Sequence, residues 1–400
     1  MKYLRYLLYF LIFISSFPLN HILGKYFYIG GKEILPQTIF AVLVITLQFF
    51  LLLAILLNKS TIIIPRPILY FLFYVIISSF ISRFNNFFFN FLLRVFYILI
   101  FCISFLKCFK FNSFKKVKNV LIFSGIVTEI IGLYLIFKGS FSYAEGRIMR
   151  FIGFGSVLTH AFGMSFYFAI GYLLWRFKEI SNFTASLLLT LSGFQIILTG
   201  SRGALLSVLA AIILVELLMG KKNFLIIFLL VLSPLYLDLV FNLSIVEKIN
   251  DYLPAYQRII WHEGDIYTLT GGRYFTTMRL LALIKENPQR IIFGYGPGEN
   301  DKIVNTENLV YSHNIYLDLF FDLGITGLYL FLYIFYYFYK RIKLVIRNTT
   351  NKNTETIVAF LALLSLFLFL IRGAMDTVLH TYLQTILYFI FPLLAISRRR

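Results

Sequence analysis

The sequence predicts an all-α polytopic membrane protein, with about twelve transmembrane helices and one large, partly helical loop outside the bilayer. Three observations predict it. The 400-residue chain is 60% hydrophobic and only 14% charged, where soluble domains are about 45–50% apolar and about 25% charged. Its apolar residues fall in runs near the ~20 that a helix needs to cross a bilayer. Its 37 Lys and Arg crowd into alternate connections, as they do where basic loops stay in the cytoplasm. This composition excludes a secreted enzyme, a cytosolic nucleotide-binding fold and a disordered chain. A net charge of +19 would suggest nucleic acid in a soluble protein. Here it reports topology, and no nucleic-acid partner is expected.

The runs are 3–19, 38–57, 67–82, 88–106, 119–137, 154–175, 184–199, 203–219, 224–241, 314–337, 356–371 and 377–396. The first follows Lys2 and Arg5 and ends on Ser15-Ser16, like a signal peptide. It lacks an A-x-A cleavage site and eleven runs follow it, so it reads as an uncleaved first helix. With the N-terminus inside, 21 of the 37 basic residues are cytoplasmic, among them Lys107, Lys110, Lys115, Lys116, Lys118, Lys340, Arg341 and Arg398 to Arg400. The outer side takes 16, seven of them in one long loop that the charge rule does not weigh. Both termini are therefore expected in the cytoplasm. Cys102 and Cys108 have neither a metal spacing nor a disulfide framework and are expected to be buried packing residues.

The expected organisation is nine spans in residues 1–241, an outer loop domain in 242–312 and three spans in 313–400. The loop's 71 residues far exceed the ~15 beyond which loops are usually functional or disordered. Its Trp261 and its tyrosines, among them Tyr252, Tyr256, Tyr274 and Tyr295, argue for a folded cap. Tyr274, Met278, Leu281 and Ile284 have helical spacing. That helix is expected over Arg273–Glu286, after Gly271-Gly272 and before Asn287-Pro288.

Three side chains on the outer face stand out. Arg202 lies in the short turn Gly200-Ser201-Arg202-Gly203 between two spans. It serves either as an interfacial anchor snorkelling to lipid or, fixed beside a helix N-terminus, as a phosphate ligand. Arg273 opens the loop helix, a place unfavourable to a cation unless an anion is shared there. His313 stands where the loop meets a span and is followed by Asn314, Asp318 and Asp322. It is either a structural histidine or a general base, since it titrates near neutral pH. Arg147 and Arg150, on another outer loop, would add to a positive basin for substrate. Arg279 could join them, although it lies on the other side of its helix and reads first as structural. Gly294-Tyr295-Gly296-Pro297-Gly298 has no strand–turn–helix setting, so it reads as a turn, not a nucleotide fingerprint. Neither a zinc motif, a nucleophile elbow nor a Ca²⁺ loop is present, and no cofactor or metal is expected.

These residues together resemble a known family. Arg202 with Leu206 four positions on is similar to the R-x3-L element of bacterial O-antigen ligases and the related O-antigen polymerases. His313-Asn314, nine residues and Gly324-x-x-Gly327 resemble the family's H-N-x9-G-x-x-G element. Arg273, Asn287-Pro288 and the Gly294-x-Gly296 turn resemble its long periplasmic loop, and Arg150-x-x-Gly153 leads into a span. The resemblance is specific over residues 199–330. Two departures stand beside it: Thr276 to Arg279 occupy the place of a Trp often found after the loop arginine, and Leu328-Tyr329 replaces the small hydroxyl residues of some ligases.

The resemblance implies a GT-C-like fold in the bacterial inner membrane. It also implies an inverting glycosyltransferase that moves a glycan from undecaprenyl pyrophosphate to an acceptor on the periplasmic side. The acceptor is the lipid A core for a ligase and a second lipid-linked repeat unit for a polymerase. Departure of a lipid pyrophosphate needs positive charge, and arginines can supply it in place of a metal. The implied roles are Arg202 and Arg273 on the diphosphate and His313 as base, with Asn314 orienting His313 or a sugar. The donor would arrive sideways from the membrane lipids. A transporter or flippase of lipid-linked sugars is the reading from another class. It would favour ionisable groups at mid-membrane and internal repeats, and here the ionisable groups deep in spans are few, chiefly Glu129 and Glu216, with no repeat.

Overall fold

A computed structural model describes residues 2–16, 28–29, 32–33, 65–80, 86–109, 111–137, 141–144, 147–151, 157–199, 201–220, 273–309, 312–348, 354–374 and 382–397, together with Thr46 and Phe49. The described chain is predominantly helical. Its first apolar helices are α1 (Lys2–Ser16), α2 (Arg66–Ser79), α3 (Asn86–Cys108), α4 (Phe114–Phe137), α5 (Val157–Arg176), α6 (Asn182–Leu198) and α7 (Arg202–Leu218). Three short elements follow, α8 (Arg273–Glu286), α9 (Arg290–Phe293) and α10 (Glu299–Thr306). The chain then re-enters apolar sequence as α11 (Ile315–Asn348), α12 (Thr354–Gly373) and α13 (Tyr382–Ile396).

Helices thus lie on ten of the twelve expected runs. Run 224–241, and run 38–57 apart from Thr46 and Phe49, lie outside the described residues. Among the described residues, three helices are by themselves long and apolar enough to cross a membrane: Phe111–Tyr134, Ile315–Arg347 and Thr354–Gly373. The last is the hub. It packs against α5, α7, α11 and α13, and every residue from Ile357 to Leu366 is buried. A helix that is apolar all round belongs in such a central place. Cys102 and Cys108 are buried and free, and Cys108's carbonyl accepts from Arg5 Nε at 3.0 Å.

Two differences from the sequence reading have local causes. First, α11 runs past 337 to Asn348 because Phe338, Ile342 and Val345 keep an apolar stripe buried while Lys340, Lys343 and Arg347 stay exposed. Second, short strands accompany the helices of this helical architecture. Two antiparallel hairpins occur, β1 (Tyr28–Ile29) with β2 (Lys32–Glu33) and β3 (Phe141–Ala144) with β4 (Arg147–Phe151). In the second, Ala144 pairs with Arg147 and Ser142 with Arg150, with a register shift between Ser142 and Tyr143.

Several polar groups inside the bundle are joined to one another. Glu129 on α4 accepts from Ser192 Oγ at 2.5 Å, and Gln195 Nε2 donates to the Glu129 carbonyl at 3.0 Å. Gln195 Oε1 lies 2.8 Å from His160 Nε2, so α4, α5 and α6 share one ladder. Glu216 receives Tyr172 Oη at 2.9 Å, with Arg176 Nε 3.5 Å away. Burying such groups in pairs avoids the cost of a lone polar atom in an apolar medium.

Candidate functional site

The site is built around a contact between two backbones. Gly294 (φ 74°, ψ −174°) and Gly324 (φ 67°, ψ −173°) both occupy a region that side chains all but forbid. At Gly324 the helix α11 breaks, and the Gly294–Gly298 turn docks there. Tyr295 N donates to the Phe321 carbonyl at 2.9 Å and Gly296 N to the Asp322 carbonyl at 2.8 Å. A Cβ on Gly294 would sit 2.3 Å from the Asp322 carbonyl oxygen, and one on Gly324 2.3 Å from that of Ile292. The glycines expected to form a turn do so, with a structural purpose. Tyr295 stacks on Phe321 at 4.5 Å between centroids, and Tyr74 Oη donates to the Leu323 carbonyl at 2.8 Å.

Asp322 completes the neighbouring helix. It is buried, and its two carboxyl oxygens accept from Gly298 N (2.9 Å) and Asn300 N (2.8 Å). Those amides open α10, whose N-cap is Gly298 and therefore has no capping side chain of its own. Asp322 does that work from 24 residues downstream. One turn back on α11, Asp318 Oδ1 accepts from Asn300 Nδ2 at 2.9 Å and from Ser312 Oγ at 2.6 Å.

The Ser312 bond reaches His313. Ser312 Oγ accepts from Asn314 N at 3.1 Å, closing a tight turn over His313. The Asn314 side chain caps α11, its Oδ1 accepting from Tyr316 N (3.0 Å) and Leu317 N (3.1 Å). Between these two anchors His313 has φ +52°, in the left-handed region that few non-glycine residues adopt. Its backbone is held there by Asp318 below and Asn314 beside it, and its side chain is half-buried.

The arginines divide by place. Arg202 is the first residue of α7, whose N-cap Ser201 accepts from Ala204 N at 3.3 Å. Arg147 and Arg150 lie on β4. The side chains of these three lie outside the described residues. Arg273 is the half-buried first residue of α8, whose expected bounds the structure reproduces. The buried face of that helix is Thr276, Leu280 and Ile284, while Tyr274, Met278 and Leu281 are exposed. Leu280 and Ile284 pack on Phe321, with Leu317 alongside, so the Arg273 helix rests on the stretch of α11 that follows His313. Arg279 is engaged by Glu307: Nε donates to Oε1 at 3.2 Å and to Oε2 at 2.9 Å, and Nη2 donates to Oε1 at 2.9 Å. The guanidinium holds the Glu307 carboxyl below its ordinary range.

One residue that sequence reasoning passed over is enclosed in the helical bundle. Arg372, the penultimate residue of α12, is fully buried. Its guanidinium lies 4.6 Å from the Phe162 ring centroid and 5.6 Å from that of Tyr388, and Nη1 donates to Tyr388 Oη at 3.3 Å. The next residue, Gly373, is so close to Ile315 that a Cβ there would meet Ile315 Cγ2 at 2.6 Å. An arginine enclosed near a helix end differs from one that snorkels, and burial is the signal that the sequence could not give.

Residues 185–332 match the family model described as O-antigen ligase. The matched segment runs from α6 into α11 and holds Arg202, Arg273, Arg279, His313, Asn314 and both glycines of the backbone contact; Arg147, Arg150 and Arg372 lie outside it. Among curated proteins, none matches the chain. The match to that model therefore covers the middle of this chain, over the stretch that holds the motifs.

Proposed function

We propose that this O-antigen ligase domain makes the protein an inverting, metal-independent glycosyltransferase of the periplasmic face. It transfers a polysaccharide from undecaprenyl pyrophosphate to the lipid A core. The observation that carries the reading is the left-handed His313 between two anchors, within the matched segment. Backbone strain of this kind concentrates where a side chain must be aimed.

His313 takes the proton of the acceptor hydroxyl as its oxygen bonds to the anomeric carbon of the donor sugar. On the opposite face, the bond from that carbon to the phosphate oxygen breaks, and its electron pair leaves with the lipid diphosphate. Arg202 and Arg273 open the helices α7 and α8. Each combines a guanidinium with the positive end of a helix dipole, a setting suited to phosphate oxygens. Arg147 and Arg150 add positive charge around the donor. Asn314, occupied in capping α11, orients His313 through the backbone.

His313→Ala and Arg273→Ala should each abolish glycan transfer in membranes that still contain the full-length protein. Normal transfer by His313→Ala removes the base assignment, and strict Mg²⁺ dependence removes the arginine argument. A polymerase differs only in its acceptor. In a strain lacking the gene, long chains left on the carrier identify a ligase, whereas single repeat units on the core identify a polymerase.

A further inference from the structure

The two chemical ends of the proposed site belong to different helices, α7 for Arg202 and α11 for His313. Beside the direct packing of α12 on both, a chain of hydrogen bonds and contacts leads from one to the other past a buried cation. Ser165 Oγ on α5 donates to the Ala204 carbonyl at 3.1 Å, in the first turn of α7. One turn earlier on α5, the Phe162 carbonyl accepts from Tyr388 Oη at 3.2 Å. That hydroxyl accepts from Arg372 Nη1, while the guanidinium lies over the Phe162 ring. On the other side, Gly373 packs on Ile315, and Tyr316 Oη donates to the Leu370 carbonyl at 2.5 Å. Ile315 and Tyr316 directly follow the His313-Asn314 turn.

We infer that Arg372 is a positioning residue, which ties the helix start bearing Arg202 to the helix start bearing His313 across α5, α12 and α13. Three properties suit it to this. Its planar guanidinium stacks on one ring while donating to the hydroxyl of another, which a lysine cannot do from one position. Cation–π contact is strongest where the cation is desolvated, and Arg372 is fully buried. An ionisable residue within an apolar span is costly and is retained for a task. Here the task is geometric, since a displacement of about 1 Å at a reacting group can cost about a hundredfold in rate.

The inference rests on the glycosyltransferase reading for its rate prediction, but not for its structural one. The full-length chain, with Cys102 and Cys108 replaced by Ser, carries spin labels at Leu206→Cys and Ile325→Cys, both exposed positions. It is placed in nanodiscs and assayed with a lipid-linked glycan donor. In Arg372→Met the distance distribution between the labels should broaden. The kcat should fall about tenfold or more while KM changes less than about twofold. Arg372→Lys should not restore either. Tyr388→Phe, which removes only the shared hydroxyl, should move both readouts the same way by less, and it decides the matter if Arg372→Met fails to accumulate. An unchanged distance distribution in these variants overturns the inference, whatever the rate does. A broadened distribution alongside a fully active His313→Ala leaves the tie standing and removes the proposed chemistry instead.

Discussion

The contact between Gly294 and Gly324 offers a quantitative test. Replacing Gly324 by alanine places a Cβ 2.3 Å from the Ile292 carbonyl oxygen, 2.4 Å from its carbon and 2.7 Å from Gly294 N. All three are backbone atoms, so no side chain can swing aside. The residue would also have to hold φ 67°, ψ −173°, at a cost of about 1–3 kcal/mol for any side chain. Overpacking adds about 1–3 kcal/mol, for a total of about 2–6 kcal/mol. Gly220 is a natural control. Its φ is +74°, yet nothing lies within 4 Å of a Cβ built there. Gly220→Ala should therefore cost only the conformational part, about 1–2 kcal/mol. Denaturant titration of both variants in one detergent separates the two contributions. Gly324→Ala losing no more stability than Gly220→Ala would refute the claim that backbone approach, not conformation alone, requires this glycine.

Three further outcomes are expected. His313→Gly removes a side chain from a left-handed position; the protein should keep its stability or gain up to about 1 kcal/mol, while transfer is lost, as melting and activity assays on one preparation would show. Ser312→Ala removes the hydroxyl that links Asp318 to the turn over His313, so transfer should fall with little change in donor affinity, and equal losses in both would point to a collapsed site. The Arg279–Glu307 pair lowers the Glu307 pKa from its ordinary 4.5. Its contribution is therefore complete above that pH and is lost as pH falls through the lower folded value; the stability difference between Glu307→Gln and the parent should vanish in that acid range and persist at neutral pH.

Much of this molecule was readable from its residues, for local reasons. Apolar runs of membrane length mark helices wherever the structure describes them. The glycines before Arg273 and Asn287-Pro288 after Glu286 fixed the ends of α8, because caps and breakers act on their own neighbours. The burial of the two cysteines was legible in the same way. The hairpin carrying Arg147 and Arg150 was not: strands of four and five residues are too short to set a period against apolar flanks. Periodicity located α8 but not its buried side. Tyr274, Met278 and Leu281 face outward, and Thr276, a polar residue, is fully covered. Arg372 was illegible because its enclosure depends on Phe162 and Tyr388, one of them more than 200 residues away in sequence. His160 is hydrogen-bonded to Gln195 within the α4–α6 ladder, a setting that only the packing of three helices creates.

The borrowed cap on α10 has a consequence for biosynthesis. Glu299–Thr306 emerges from the ribosome ahead of Asp322, so the first amides of that helix must wait on water until the following segment has emerged in its turn. Delivery of Asp322 to those amides brings the Gly324 break against the Gly294 turn in the same movement. Closure of this cap is thereby made contingent on the placement of α11, and a nascent chain stalled before that point would carry an unfinished, protease-sensitive segment.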